Sequence, residues 1–358
     1  MTHAGSVGQT IGAKRAEFGR PYSGEEILSD EVLATRIRER AATTVVDAEE
    51  LTRRGVPLSP FLEIGAGSVQ RSIALANHQR ADGVATDISQ NALRDAPYVL
   101  SLLRQGRAPM RICCDAHHLP FLDDTFRYVF AYQTLHHFEN PVPVVAECYR
   151  VLGRGGYFFF DEEPLDTRLR RLARGRRMLS HPPTRAQRIA ARLGVEKVFW
   201  DDGAHERSLG IVEGRPDIAT WREALACFGS VEAVVNRRLR FGSNLRTPML
   251  SALLSGLVGG NIRGLCLKLD GMVAASDFRE RLMCPDCLSA NLAVVEREPI
   301  LCRNCGRTYP VVEGVYRMLP AELEAQLCLD AAEPPAAPPY AEAPAAEDVL
   351  GLDASLES

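Results

Sequence analysis

From Pro60 to Glu163 the sequence alternates short apolar runs with amphipathic stretches, and this constrains the fold more than any other feature. "PFLEIGAG" reads as a strand ending in a glycine turn, and "SVQRSIALANH" continues as a helix. "DGVATDIS" is a second strand and "QNALRDAPYVLSLLRQG" a second helix. "MRICCDA" and "YVFAYQTL" are strands three and four, "PVPVVAECYRVL" a helix, and "GGYFFFDEE" a fifth strand. Strand–helix alternation of this kind implies an α/β fold with a parallel, doubly wound sheet that binds ligands at the carboxyl ends of its strands. Upstream, from Ser29 to about Arg54, apolar residues recur at helical spacing among charges, as in a helix covering a sheet edge. Downstream, "WREALACF" and "GSVEAVVNRRLRF" read as a helix and a sheet-edge strand.

The chain of 358 residues has room for one large domain and a small one. It is 46% hydrophobic and 25% charged with a net charge of −4, a composition that does not suit a nucleic-acid-coating protein. The first twenty residues lack the apolar core of a secretory signal. The apolar stretch Met249–Leu267 is broken by a Gly pair, Asn261 and Arg263, so it reads as a buried or interfacial helix and no membrane span is expected. Ten cysteines without a signal argue for a reducing, cytoplasmic setting. The expected organisation is a flexible N-terminus (1–28), a main domain (29–278) with an Arg-rich linker or lid at about 163–214, a small Cys-rich domain (279–322), and a disordered acidic Ala/Pro-rich tail (323–358).

The first strand ends "EIGAGSV", with Glu63, Gly65 and Gly67, but Gln70 stands where a dinucleotide fingerprint needs its third glycine. No GKS or GKT follows, which excludes a P-loop. What remains is a ligand with a ribose but no diphosphate. Asp87 ends strand two, twenty residues past Gly67, where a carboxylate can accept both ribose hydroxyls. Asp115 ends strand three, placed to meet an adenine amino group. Each acid alone could simply cap the helix that follows it; three closing successive strands point to one site.

The segments "FLEIGAG", "ATDIS", "CDAHHLPFLDDTFRYVFAYQTLHHF" and "ECYRVLGRGGYFFF" resemble, in order, the motifs of class I S-adenosylmethionine-dependent methyltransferases, nearest to the ubiquinone and menaquinone methylases. The resemblance spans roughly residues 60–162 and implies a Rossmann-like methyltransferase sheet. It implies that Glu63, Gly65 and Gly67 line the amino-acid end of S-adenosylmethionine, that Asp87 holds the ribose with Ile88 beside the adenine, and that Asp115 and Ala116 flank the base. Two positions depart from the pattern: Val69 replaces a frequent glycine, and Arg127 stands where the family usually has Asp.

Methyl transfer from a sulfonium is an in-line displacement, so the protein mainly supplies proximity, and a base only where the acceptor must lose a proton. His136 and His137, after strand four, are the catalytic candidates, with Glu162 behind them; helix-start packing would also account for the histidine pair. His117 and His118 are placed to shape the adenine pocket, while His205 and Glu206 lie on the substrate side. The stretch "AYQTLHH" is unlike the NPPY tetrapeptide of adenine and glutamine N-methylases, which disfavours those acceptors. Between Arg168 and Arg188 lie eight arginines in twenty-one residues, either a solvated helix face or a lid meeting an anionic acceptor.

Cys284-x2-Cys287, then fourteen residues, then Cys302-x2-Cys305 is the spacing of a structural Zn²⁺ ribbon, whose four thiolates leave no open position for catalysis. With Tyr309–Val311, Gly314–Val315 and Met318–Leu319, the module resembles the zinc-ribbon methyltransferase activators, which bind and stabilise methylases of tRNA, ribosomal RNA and a release factor. That resemblance implies a ribbon in intramolecular contact with its own catalytic domain, at high effective concentration. The expectation is a methyltransferase of a small-molecule or glycan-type acceptor. RNA or protein methylation is the alternative, and a non-catalytic binding module with this fold a further one.

Overall fold

A computed structural model describes residues 10–18, 30–166, 210–236, 261–274 and 277–328. The Arg168–Arg188 run, His205, Glu206 and the acidic tail from residue 329 lie outside the described residues.

The expected alternation forms as a mixed sheet. Strands β1 (Phe61–Ile64), β2 (Gly83–Asp87), β3 (Met110–Cys113), β4 (Phe126–Tyr132) and β5 (Leu152–Pro164) lie in the order β3-β2-β1-β4-β5, all parallel. Chain order reverses direction between β1 and β4, which opens a crevice beyond their carboxyl ends. Beyond β5 the sheet turns antiparallel, through β7 (Asn261–Leu267) to the edge strand β6 (Ser230–Asn236). The wholly parallel expectation is corrected there. So is the helix expected over Met249–Leu267: its described part is strand β7, pressed between two partners, with Gly264 admitting the Phe160 ring where a Cβ would come within 2.4 Å.

Helices cover both faces, because alternate strand residues point to opposite sides. On one face α6 (Val142–Val151) and α7 (Ile218–Ala224) bring Val144, Cys148 and Trp221 against Leu62, Ile64 and Phe160, and the Trp221 ring stacks on Phe160 at 4.8 Å. On the other, α2 (Asp30–Arg53), α3 (Gln70–His78) and α5 (Ala96–Leu103) bury Leu51, Leu75, Ile73 and Val99 against Phe61, Phe130 and Ala85. The single helix expected after β2 is two, α4 (Gln90–Arg94) and α5, divided at Asp95 with Pro97 in the first turn of α5. A pyrrolidine ring is tolerated in a first turn, where the missing N–H is unpaired in any case.

Two terminal segments close onto this frame. In the N-terminal stretch expected to be flexible, residues 11–18 form helix α1 (Ile11–Phe18). The Cys-rich module folds as a three-stranded antiparallel sheet, β8 (Leu292–Ala293), β9 (Ile300–Cys302) and β10 (Thr308–Tyr309). Its last hairpin, β11 (Val311–Val312) and β12 (Val315–Arg317), instead joins the main sheet: β12 runs parallel to β3, pairing Tyr316 with Ile112 and Arg317 with Cys113. Alternate residues of β12 then serve both faces, Tyr316 one core and Val315 the other. Helix α8 (Ala321–Cys328) follows, which corrects the disorder expected from residue 323 over its first six positions, and its Gln326 carbonyl accepts a hydrogen bond from Arg15 of α1.

Candidate active site at the carboxyl ends of the strands

The turn after β1 is built for close approach. Gly65 and Gly67 have φ of 66° and 52°, and a Cβ on Gly65 would lie 2.3 Å from the Thr134 side chain. Val69 is fully buried in the same left-handed region at φ 70°, a strained conformation for a β-branched residue. Glu63, 2% exposed, reaches past the turn to accept hydrogen bonds from the Ser72 amide (3.1 Å) and hydroxyl, tying β1 to the first turn of α3. Burial outweighs the Ser72 and Arg71 contributions and pushes the Glu63 carboxyl up to about 7.

Asp87 stands at the end of β2 and faces back onto the glycine turn. Its Oδ2 accepts from the Gly67 amide at 2.9 Å and its Oδ1 from Ser89 at 2.8 Å, so it fixes the turn that a ligand would approach. Ile88 is half-buried beside it, its carbonyl taking the Cys113 thiol. Asp115 lies beyond β3 and is 2% exposed. Its Oδ1 accepts from the His117 amide and ring Nδ1, at 3.0 and 2.9 Å, while Lys14 of α1 donates to its Oδ2 at 2.5 Å. Burial works to raise the Asp115 pKa, but the His117 hydrogen bond and the Lys14 ammonium hold it well below the carboxylate range. Ala116 is half-buried against the core, His117 meets Phe138 edge-on at 5.3 Å, and His118 is exposed. Arg127 is exposed on β4 and takes no part.

The histidine pair sits on a 3₁₀ turn, Leu135–His137, directly after β4. One carboxylate organises that turn. Glu163, fully buried on β5, accepts from the amides of Thr134 (2.7 Å), Leu135 (3.0 Å) and His136 (3.1 Å), and from His136 Nδ1 at 2.8 Å. Sequence reasoning pointed to the neighbouring Glu162, which turns away at φ 62° to pair with Arg71. Burial depresses the His136 pKa, yet the Glu163 and Glu213 carboxylates outweigh it and raise it overall. Glu213 was not foreseen either. It arrives on a loop whose Gly214 amide donates to the His136 carbonyl at 2.7 Å, and it stands 3.8 Å from His136 Nε2 and 3.5 Å from His137 Nδ1. The two signals available in sequence were the acidic end of β5 and the "VEG" triplet; neither carries a spacing that ties it to the histidines.

The four ribbon cysteines converge, Cys284 to Cys305 at 3.7 Å and Cys287 to Cys302 at 3.6 Å between sulfurs. A tetrahedron with Zn–S bonds of about 2.3 Å has edges of roughly 3.8 Å, so the donor set fits Zn²⁺. Around it, the Tyr309 hydroxyl lies 3.0 Å from Cys284 Sγ, and Asn304 donates to Cys287 Sγ at 3.4 Å.

Residues 62–160 match a protein family described as a methyltransferase domain. No curated protein matches the chain. Among solved structures, a Haloferax volcanii complex of the Trm112 methyltransferase activator with a methyltransferase is 14% identical, covers 67% of this chain and 96% of its own, and has a TM-score of 0.41. A protein described as a methyltransferase from Bacillus halodurans is 19% identical, with 63% and 100% covered and a TM-score of 0.38. A Methanococcus maripaludis protein described as an S-adenosylmethionine-dependent methyltransferase is 16% identical, with 68% and 93% covered and a TM-score of 0.39.

Proposed function

We propose that this S-adenosylmethionine-dependent methyltransferase acts on a small-metabolite or glycan-type acceptor, presented to the cluster of His136, His137 and Glu213. The supporting observation is the pinned imidazole: His136 Nδ1 lies 2.8 Å from the buried Glu163 carboxylate, which holds the ring with Nε2 turned towards Glu213. A group so oriented can relieve an acceptor hydroxyl or amine of its proton as the methyl arrives.

S-adenosylmethionine supplies an electrophilic methyl on a neutral leaving group. The chain's residues bind and orient it: Gly65 and Gly67 give the backbone room, Glu63 and Asp87 anchor the turn, and Ile88, Asp115 and Ala116 border the base end. The cofactor-binding roles of these seven residues, and the catalytic roles of His136 and His137, belong to this proposal. So does Zn²⁺ on Cys284, Cys287, Cys302 and Cys305, where a closed thiolate shell has a structural role; the fused ribbon would stabilise the catalytic domain by completing its sheet at β3. The cytoplasmic setting belongs to the same proposal; the nine cysteines whose side chains are described form no disulfide. No described helix is long and apolar enough to cross a membrane. The RNA or protein alternative rests on the arginine run and on the ribbon's kinship, both features of sequence.

The test is calorimetric titration of the zinc-loaded chain with S-adenosylhomocysteine, followed by methyl-label transfer from S-adenosylmethionine to small acceptors and to an RNA pool. Asp87→Ala should weaken S-adenosylhomocysteine binding at least tenfold, the scale of losing a charged hydrogen-bond partner. Unchanged affinity removes Asp87 from the site, and label appearing only in RNA overturns the small-acceptor reading.

A further inference from the structure

The two histidines and Glu213 do more than neighbour one another. Each offers one ligand atom, and these atoms lie within 4.8 Å of one another. His136 Nε2 stands 3.8 Å from Glu213 Oε2, and His137 Nδ1 stands 3.5 Å from Glu213 Oε1. In a tetrahedral zinc-type shell with bonds near 2.0–2.1 Å, neighbouring donor atoms are roughly 3.4 Å apart, so small side-chain adjustments would close the set. The two rings lie 4.3 Å apart between centroids and 33° from parallel, which brings both imidazoles to one side of the turn.

The surroundings of a metal-ligating histidine are also in place. A ligating imidazole commonly donates its other N–H to a carboxylate, which fixes the tautomer and raises the basicity of the ligating nitrogen. Glu163 does this for His136 at 2.8 Å, and its other contacts, three backbone amides, hold it still. Gly214 lets the Glu213 loop come down on the turn: a Cβ there would lie 2.8 Å from the His136 carbonyl oxygen. Glu17 of α1 adds an Oε1 at 3.6 Å from His137 Nδ1. The Val212 carbonyl, 3.0 Å from that nitrogen, accepts its proton in the metal-free form. Loading therefore exchanges that hydrogen bond for a metal bond at Nδ1, the single ring proton of the neutral imidazole moving to Nε2.

We infer that His136, His137 and Glu213 form a second metal site, taking a divalent cation of the zinc class and distinct from the four-cysteine ribbon. Two imidazoles and one carboxylate leave a coordination position open, as in catalytic rather than closed structural sites. The acceptor this suits is one that offers a hydroxyl oxygen to the cation, which would lower the pKa of that hydroxyl so that its proton passes to solvent, His136 then serving as a ligand and not as the base. That assignment of acceptor class rests on the methyl-transfer reading above. The metal site itself does not.

The experiment uses the full chain, stripped with chelator, reloaded with Co²⁺ and desalted, with metal per chain counted by mass spectrometry. Wild type should carry two equivalents, and Glu213→Gln one. The variant should keep the thiolate-to-cobalt absorption of the ribbon. His137→Gln should behave alike; should it fail to fold, Glu213→Gln decides, since that side chain is on a partly exposed loop. A single equivalent in wild type overturns the site, as does a count that Glu213→Gln leaves unchanged. S-adenosylhomocysteine binding is read separately: a chain that holds the second equivalent but binds no cofactor overturns methyl transfer and leaves the metal site standing.

Discussion

Glu63 is the residue on which the glycine turn after β1 and the sheet core meet. Its carboxyl is raised from 4.5 to about 7 by burial, so the proton is bound more tightly in the folded chain than in the unfolded one. For a group shifted in that direction, the stabilising contribution is complete below about 4.5 and is lost as pH rises through about 7. Glu63→Gln keeps an oxygen for the Ser72 donors and never ionises. Relative to that variant, wild type should therefore lose up to about 3 kcal/mol of unfolding free energy between pH 5 and 8. Urea melts of both proteins at the two pH values measure this, and parallel pH dependence would dissociate Glu63 from the effect. The residue scale is also where the sequence spoke most clearly. The strand-end positions of Glu63, Asp87 and Asp115 were legible because each closes a strand in a local pattern, and strand adjacency sets those ends side by side. Val69 was legible only as a missing glycine; its left-handed backbone follows from the geometry of the turn.

At the scale of elements, short contacts were readable and long ones were not. The boundaries of α2, α3 and β1 to β4 follow hydrophobic period and turn residues. Nothing local in "IGAKRAEF" says that α1 will reach the end of β3, 101 positions away from Lys14, to pair with Asp115. The same holds for Glu163, which folds back on a turn 27 to 29 residues earlier. Lys14 occupies the carboxylate that the proposed adenine contact would use, so on that proposal α1 and the cofactor would compete for one acceptor. Lys14→Ala should lower the melting temperature of the free chain, since a buried ion pair loses one partner. It should also tighten S-adenosylhomocysteine binding several-fold, because Asp115 is then released. Calorimetry and thermal melts read the two effects separately. Weaker binding would mean that Lys14 supports the cofactor and does not compete with it.

Across the whole molecule the Cys-rich module behaves as an extension of the sheet and not as an appended bead. The cysteine spacing made its thiol cluster legible, since a C-x2-C pair is a local signal. The pairing of β12 with β3 was not, because a parallel neighbour can come from anywhere in the chain. That pairing carries a mechanical consequence. Met318 donates to the Cys113 carbonyl at 2.9 Å, one residue before the Cys114–Asp115 corner of the proposed cofactor site, and its side chain shares a core with Leu62, Ile64 and Phe121. Leu122 and Met283 exchange further backbone bonds across the junction, to Arg281 and Pro120. Unfolding the Cys-rich module should therefore uncover the edge of β3 and the interior that its last hairpin seals. Cys302→Ser, which removes a buried thiol from the cluster, should lower the melting temperature of the entire chain in a single transition, and weaken S-adenosylhomocysteine binding along with it. Scanning calorimetry with and without chelator reads this directly. Two separate transitions, with the upper one unchanged from wild type, would show that the main sheet stands without the Cys-rich module and would sink the stabilising role proposed for it.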